Sequence, residues 1–287
     1  MAGGDDGRIR RLLFDTVAVS VLEKVLEAAR AAGAAPAPVK GVVLARWLYD
    51  DVADRPYRDL DLLAARDDLP RLEDAVAARG WPVQVCSREM GELEFTVDRL
   101  TVEVHAEFGR RDLSRLTIAD VLARGTLDGR TFPFEVRRID DIDHLLLLVA
   151  NVTKKSFTYA NAHQPADLAR LLERLRPRWD ELAARARAAR FTTALRLVSA
   201  WMAEERGSPA FAAFARLLPG PGRRLVPAAI AWQRRRDRRA PRRLESAAGL
   251  LGLALATQTP DDLRLRVRGL ARLVRRGLAR RLGRDPG

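Results

Sequence analysis

Asp59-Leu60-Asp61-Leu62-Leu63-Ala64 alternates acidic and apolar residues and then closes in an apolar run. A period of two is the mark of a strand with unlike faces, and the apolar finish suits a central strand whose polar residues emerge on one side. Asp59 and Asp61 then project together, with ~6–7 Å between successive same-face positions. The stretch Thr101-Val102-Glu103-Val104-His105-Ala106-Glu107-Phe108 repeats the alternation. Here Glu103, His105 and Glu107 share one face while Val102, Val104 and Ala106 point to a core. Two carboxylates on one strand and a third on a neighbour are well placed to share hard divalent cations, which take oxygen ligands and leave room for phosphates. Spacing alone is a weak signal, because an Asp-x-Asp pair is more often a solvated strand end or a cap.

Outward from these strands the texture is mixed. Residues 8–32 read as an amphipathic helix with Ile9, Leu12, Leu13, Val17, Val21, Val25 and Ala28 on one face, ended by Gly33 and kept from resuming by Pro36 and Pro38. A short extended entry, Pro38 to Lys40, leads into a short helix from Val42 to Tyr49. Asp67 or Asp68 is expected to cap a helix running to about Arg79, with Pro70 in its first turn. Further strands are expected at Pro82–Cys86, Glu92–Val97 and Leu100–Phe108, and an extended stretch at Thr131–Arg137. From Asp140, a plausible cap for the apolar run Ile142 to Val152, the pattern turns helical. Helices are expected near 164–175, 179–189, 191–205, 208–217, 222–237, 241–256 and 260–282. The order predicts an α+β architecture: a small mixed sheet in residues 1–139, then an all-helical half in 140–287.

Composition narrows the class. The 287 residues are 47% hydrophobic, yet no run approaches the roughly 18 apolar residues of a membrane span. The start, MAGGDDGRIRR, lacks a secretory pattern, so a cytoplasmic location is expected. One cysteine, Cys86, allows no internal disulfide, and the scatter of Cys86, His105, His144 and His163 argues against a zinc site. Residues 221–287 hold 18 arginines against five acidic residues, a surplus equal to the net charge of +13 on the whole chain. A neutral body therefore carries a basic C-terminal region. Such a region suits a phosphate-rich partner or a solvated helical face, and the second is the commoner meaning.

Taken as a set, Lys40-Gly41, Leu44, Tyr49, Arg55-Pro56, Asp59-Leu-Asp61-Leu-Leu and Val102-Glu103-Val104-His105 resemble the uncharacterised nucleotidyltransferase family of bacteria, within the DNA polymerase β-like superfamily. The resemblance spans roughly residues 10–205 and continues through Asp167-Leu-Ala-Arg-Leu-Leu and Trp179-Asp180. It implies a nucleotidyltransferase core, two Mg²⁺ ions, and transfer of a nucleoside monophosphate from an NTP with release of pyrophosphate. ATP is the commonest donor across the superfamily. Carried over, Asp59 and Asp61 would bind both metals, and Glu103 would bind the nucleophile-side ion and assist deprotonation of the acceptor. Lys40-Gly41 opens the helix before the aspartates, where unpaired N–H groups favour anions. Lys40 would meet the β- and γ-phosphates as a point charge, and Arg55 would reach the same phosphates. His105 would orient Glu103 or contact substrate, or serve only as a hydrogen-bonded histidine at a strand end.

The chain departs from many superfamily members in having Val42 after Gly41, where a serine hydroxyl is common, and Arg58 before Asp59. Three functions follow. The favoured one is an enzyme acting on a hydroxyl, a peptide or protein side chain, or a phosphate. The second is a non-catalytic nucleotide-binding adaptor on the same fold. The third engages nucleic acid through the basic C-terminal region, where few aromatics interrupt the arginines. A membrane-surface helix at 260–282, with Leu263, Val267, Leu270, Val274 and Leu278 in one stripe, is a further alternative.

Overall fold

A computed structural model describes residues 3–87, 91–107, 115–154 and 163–218. The helices expected at 222–237, 241–256 and 260–282, and with them the basic region, lie outside the described residues. The chain divides into two units, one of residues 1–108 and 116–144, the other of residues 109–115 and 145–287.

The first unit is built on a five-stranded mixed sheet. Its strands are β1 (Ala37–Val39), β2 (Asp59–Leu63), β3 (Val83–Ser87), β4 (Glu92–Val97) and β5 (Leu100–His105), in the order β1-β2-β5-β4-β3. The two alternating stretches are thus neighbours at the centre, paired in parallel. The other pairings are antiparallel. Along β4 and β5 burial alternates strictly residue by residue, as a sheet covered on one face requires. Leu60, Leu62, Leu93, Phe95, Val97, Val102 and Val104 form one buried cluster with Ala18, Val21, Leu22 and Val25 of α1 (Gly3–Ala31) and with Leu69, Leu72 and Val76 of α3 (Leu69–Ala78). Each large side chain buried this way contributes about 1.5–3 kcal/mol.

Between β1 and β2 lie the seven-residue helix α2 (Gly41–Trp47) and a single helical turn at Val52–Asp54. The connection after β5 holds α4 (Ile118–Arg124), which the sequence reading lacks. A reciprocal cap opens it: Thr117 and Asp120 each accept from the other's backbone N–H. A two-stranded ribbon follows, β6 (Thr126–Asp128) paired with β7 (Val136–Arg138).

Four local expectations change. Ile9, Leu13 and Val17 are 50%, 61% and 48% exposed rather than buried. A helix of 29 residues is about 43 Å long, well beyond the reach of five-residue strands, and only its second half meets the core. The extended stretch at 131–137 shrinks to β7. Asp128 turns the preceding chain by accepting from the Arg130 N–H at 2.8 Å and the Thr131 hydroxyl at 2.6 Å. Asp68 precedes α3 but makes no side-chain cap; it pairs with Arg71 at 2.8 Å instead. The strand expected to reach Phe108 ends at His105. Gly33 does end α1, with a φ of 71° that suits glycine.

The described part of the second unit is helical. Asp140 accepts from the Ile142 N–H at 3.0 Å, as expected of it, at the start of α5 (Asp141–Lys154). From Leu145 onward this helix belongs to the second unit. α6 (Gln164–Arg174), α7 (Trp179–Ala188), α8 (Thr192–Glu205) and α9 (Pro209–Phe214) are its other helices among the described residues. Trp179 sets its ring edge-on to Phe214 and donates its indole N–H to the Leu172 carbonyl at 2.9 Å.

Candidate active site

The register of the central pair decides which side chains meet. Asp59 stands opposite Thr101, Asp61 opposite Glu103 and Leu63 opposite His105. Parallel neighbours in register point the same way, so Asp61, Glu103 and His105 emerge on the face away from the core cluster. One ligand atom from each of these three lies within 4.8 Å of the other two. His105 Nε2 is 3.2 Å from Asp61 Oδ1 and 3.4 Å from Glu103 Oε2. Lys40 Nζ bonds to the same Asp61 oxygen. Asp59 stands outside that group of three, one position back along the face, and is half-buried.

Electrostatics sort the acids. Burial works to raise the pKa of Asp61, but the Lys40 charge and hydrogen bonds from His105 and Lys40 outweigh it and hold the carboxyl at about 2. The hydrogen bond from His105 lowers Glu103 below the usual glutamate value, against burial and the Asp61 charge. Asp59 moves the other way, raised by burial and by the charges of Asp61 and Glu103. Burial opposes a charge on His105, yet its bonds to Asp61 and Glu103 raise its pKa. Its Nε2 lies between the two carboxylates.

Lys40 is held from two sides. Its backbone adopts φ 52° and ψ −122°, in a region that L-residues rarely enter. Its N–H donates to Nε2 of His144, a ring only 1% exposed. That ring is neutral: burial, then the charges of Arg55, Arg138 and Lys40, push its pKa down to about 3. Sequence reasoning gave His144 no role at this site, naming it only in the scatter that argues against zinc. Its only signal was a polar Asp143-His144 pair at the head of an apolar helical run. Gly41, next in the chain, is buried, and a Cβ there would fall 2.7 Å from the Cβ of Tyr57. Tyr57 donates its hydroxyl to Asp15 at 2.8 Å, and Arg46 pairs with Asp15 as well, so α1, α2 and the loop before β2 are tied behind the site. Arg55 is 8% exposed, with Nη1 3.4 Å from the Pro56 carbonyl oxygen, and its charge is felt at His144.

Of the residues singled out from sequence, the structure therefore gathers Asp61, Glu103, His105 and Lys40 into one cluster. It sets Asp59 and Gly41 beside them along the chain, and it buries Arg55. A donor set of two ionised carboxylates and an imidazole suits a divalent cation.

The sequence profile of a family described as uncharacterised nucleotidyltransferase matches residues 14–206. No curated protein matches the chain. Among solved structures, the solution structure of the antibiotic-resistance factor ANT(2'')-Ia is similar over 61% of this chain and 93% of that one, with 17% identity and a TM-score of 0.44. No helix among the described residues is long and apolar enough to cross a membrane.

Proposed function

Because the chain belongs to the uncharacterised nucleotidyltransferase family, we propose that it transfers a nucleoside monophosphate from an NTP to an acceptor and releases pyrophosphate. The observation that carries this reading is the in-register meeting of Asp61 with Glu103 across the β2–β5 pair, with Asp59 on the same face. Asp59, Asp61 and Glu103 would hold Mg²⁺, which supplies Lewis-acid stabilisation of the phosphates and a more acidic attacking hydroxyl when bound. Every other part of the chemistry falls to the chain. Asp61 and Glu103 are both held ionised, as ligands must be. Glu103, more exposed than Asp61, is the group to accept the acceptor's proton. Lys40 supplies a mobile cation for the β- and γ-phosphates, released from Asp61 as that carboxylate takes up metal. The acceptor is a hydroxyl, a peptide or protein side chain, or a phosphate, and ATP is the first donor to try.

The test is direct. ATP, GTP, CTP and UTP are titrated into the full chain with Mg²⁺ by calorimetry, and pyrophosphate release is followed with pooled acceptors. At least one nucleotide should bind, and Asp61→Asn should lower pyrophosphate release by about 100-fold or more. Failure of all four to bind would remove the reading. Binding that survives Asp61→Asn with no pyrophosphate from any acceptor would favour the non-catalytic adaptor.

A further inference from the structure

We propose that His105 is itself a metal ligand, so that one cation position is an oxygen–nitrogen site of Asp61, Glu103 and His105 that favours a first-row transition ion such as Mn²⁺ over Mg²⁺. This rests on the proposed transferase site and names a preference that three carboxylates alone would not give. Mg²⁺ asks for oxygen ligands, whereas imidazole binds transition ions well.

Three features of the cluster point the same way. First, the spacing fits a shared ion. Two ligand atoms ~2.1 Å from one ion stand roughly 3.0 Å apart at octahedral corners and roughly 3.4 Å apart at tetrahedral ones. His105 Nε2 lies 3.2 Å from Asp61 Oδ1 and 3.4 Å from Glu103 Oε2. Second, one ring nitrogen reaches both carboxylates. A histidine acting only as a strand-end hydrogen bonder needs one partner, not two ionised ones. Third, a cation already meets the same oxygen: the Lys40 ammonium bonds to Asp61 Oδ1. A divalent ion would take over that oxygen and relieve Lys40 of its place on it.

The strand order makes the ring's placement firm. His105 is the last residue of β5 and pairs with Leu63 on one side and Glu92 on the other, so its backbone is held from both neighbours. The Ala64 N–H also donates to the His105 carbonyl at 3.1 Å. The ring is carried by the same sheet as Asp61 and Glu103, and no loop movement is needed to bring the three together.

The experiment uses the full chain, freed of metal and without nucleotide, titrated with MnCl₂ alone and in competition with MgCl₂. Bound Mn²⁺ is examined by electron spin-echo envelope modulation on protein labelled with ¹⁵N-histidine. The expected result is a directly bonded nitrogen, tighter binding of Mn²⁺ than of Mg²⁺, and loss of the nitrogen coupling in His105→Ala. That variant should also bind Mn²⁺ at least ~10-fold more weakly, since even residues that only support a metal ligand cost that much when lost. Bound Mn²⁺ with no nitrogen coupling in the unaltered protein would overturn the proposal, and this holds however the variant folds. Equal Mn²⁺ affinity in a folded His105→Ala would overturn it too. The two readings fail separately: nitrogen coupling without nucleotide binding removes the transferase and leaves the metal site, whereas an all-oxygen site that binds nucleotide does the reverse.

Discussion

The backbone N–H of Lys40 donates to Nε2 of His144 at 3.0 Å, a bond that spans 104 residues of sequence. It anchors a lysine whose backbone sits at φ 52° while its side chain reaches Asp61. Replacing His144 with Leu removes the acceptor and leaves a part-buried N–H without it, a loss of about 1–3 kcal/mol. His144→Gln, which offers an oxygen at similar reach, should recover part of that. Chemical denaturation gives the stabilities. Acylation of Lys40, followed by mass spectrometry against Lys24, should quicken in His144→Leu and return toward the original rate in His144→Gln. Equal rates in all three proteins would show that His144 does not position Lys40.

The same ring sets a pH dependence. His144 has a folded pKa of about 3 against an ordinary 6.5, so the unfolded chain binds the extra proton first. Stability attached to the neutral ring is complete above about 6.5 and drains away as pH falls toward 3, with a slope of up to ~1.4 kcal/mol per pH unit. Asp61 and Glu103 add slope of the same sign and Asp59 slope of the opposite sign. The measurement is therefore the difference between the unaltered protein and His144→Gln in urea midpoints from pH 7 to 4. The variant should show the shallower fall.

His105 behaves oppositely. Its pKa is raised by Asp61 and Glu103, so its contribution is full below 6.5 and is lost as pH rises through the folded value. Asp61→Asn removes one of the two anionic partners and should lower that pKa in the metal-free protein. A ¹H–¹⁵N NMR titration of the ring reads this without any assay of activity. No change on substitution would mean that Asp61 does not hold the ring.

Gly41→Ala tests the packing behind the site. The new Cβ would meet the Tyr57 Cβ at 2.7 Å and its Cγ at 3.0 Å. Crowding of this kind costs about 1–3 kcal/mol, seen as a lower urea midpoint. Trimming the ring with Tyr57→Ala should give no rescue, because the closest atom stays.

Much of this was written in local pattern. The alternation from Thr101 to Ala106 fixed which face Glu103 and His105 share, and Asp59 with Asp61 did the same for β2; the structure then aligned the two strands. A single strand's periodicity carries no register, so the pairing of Asp61 with Glu103 could only be hoped for. The short α4 was missed although Thr117 and Asp120 announce its start, since seven residues give little periodicity. Ile9, Leu13 and Val17 form a proper helical stripe yet lie exposed, because amphipathicity tells which face is apolar and not how far the core extends. His144 was beyond reach for a different reason: its partner is a backbone N–H far away in sequence, and no side-chain motif records such a bond.

β2 and β5 are interior strands, with β1 on one flank and β4 then β3 on the other. Amides there should exchange with solvent only through the largest openings of this unit, after α1's exposed first turns and the β3 margin have already loosened. The carboxylates thus ride on the slowest-opening backbone of the unit. Loss of metal affinity during denaturation should then track global unfolding of the sheet, which makes ion binding a faithful gauge of how much native protein is left.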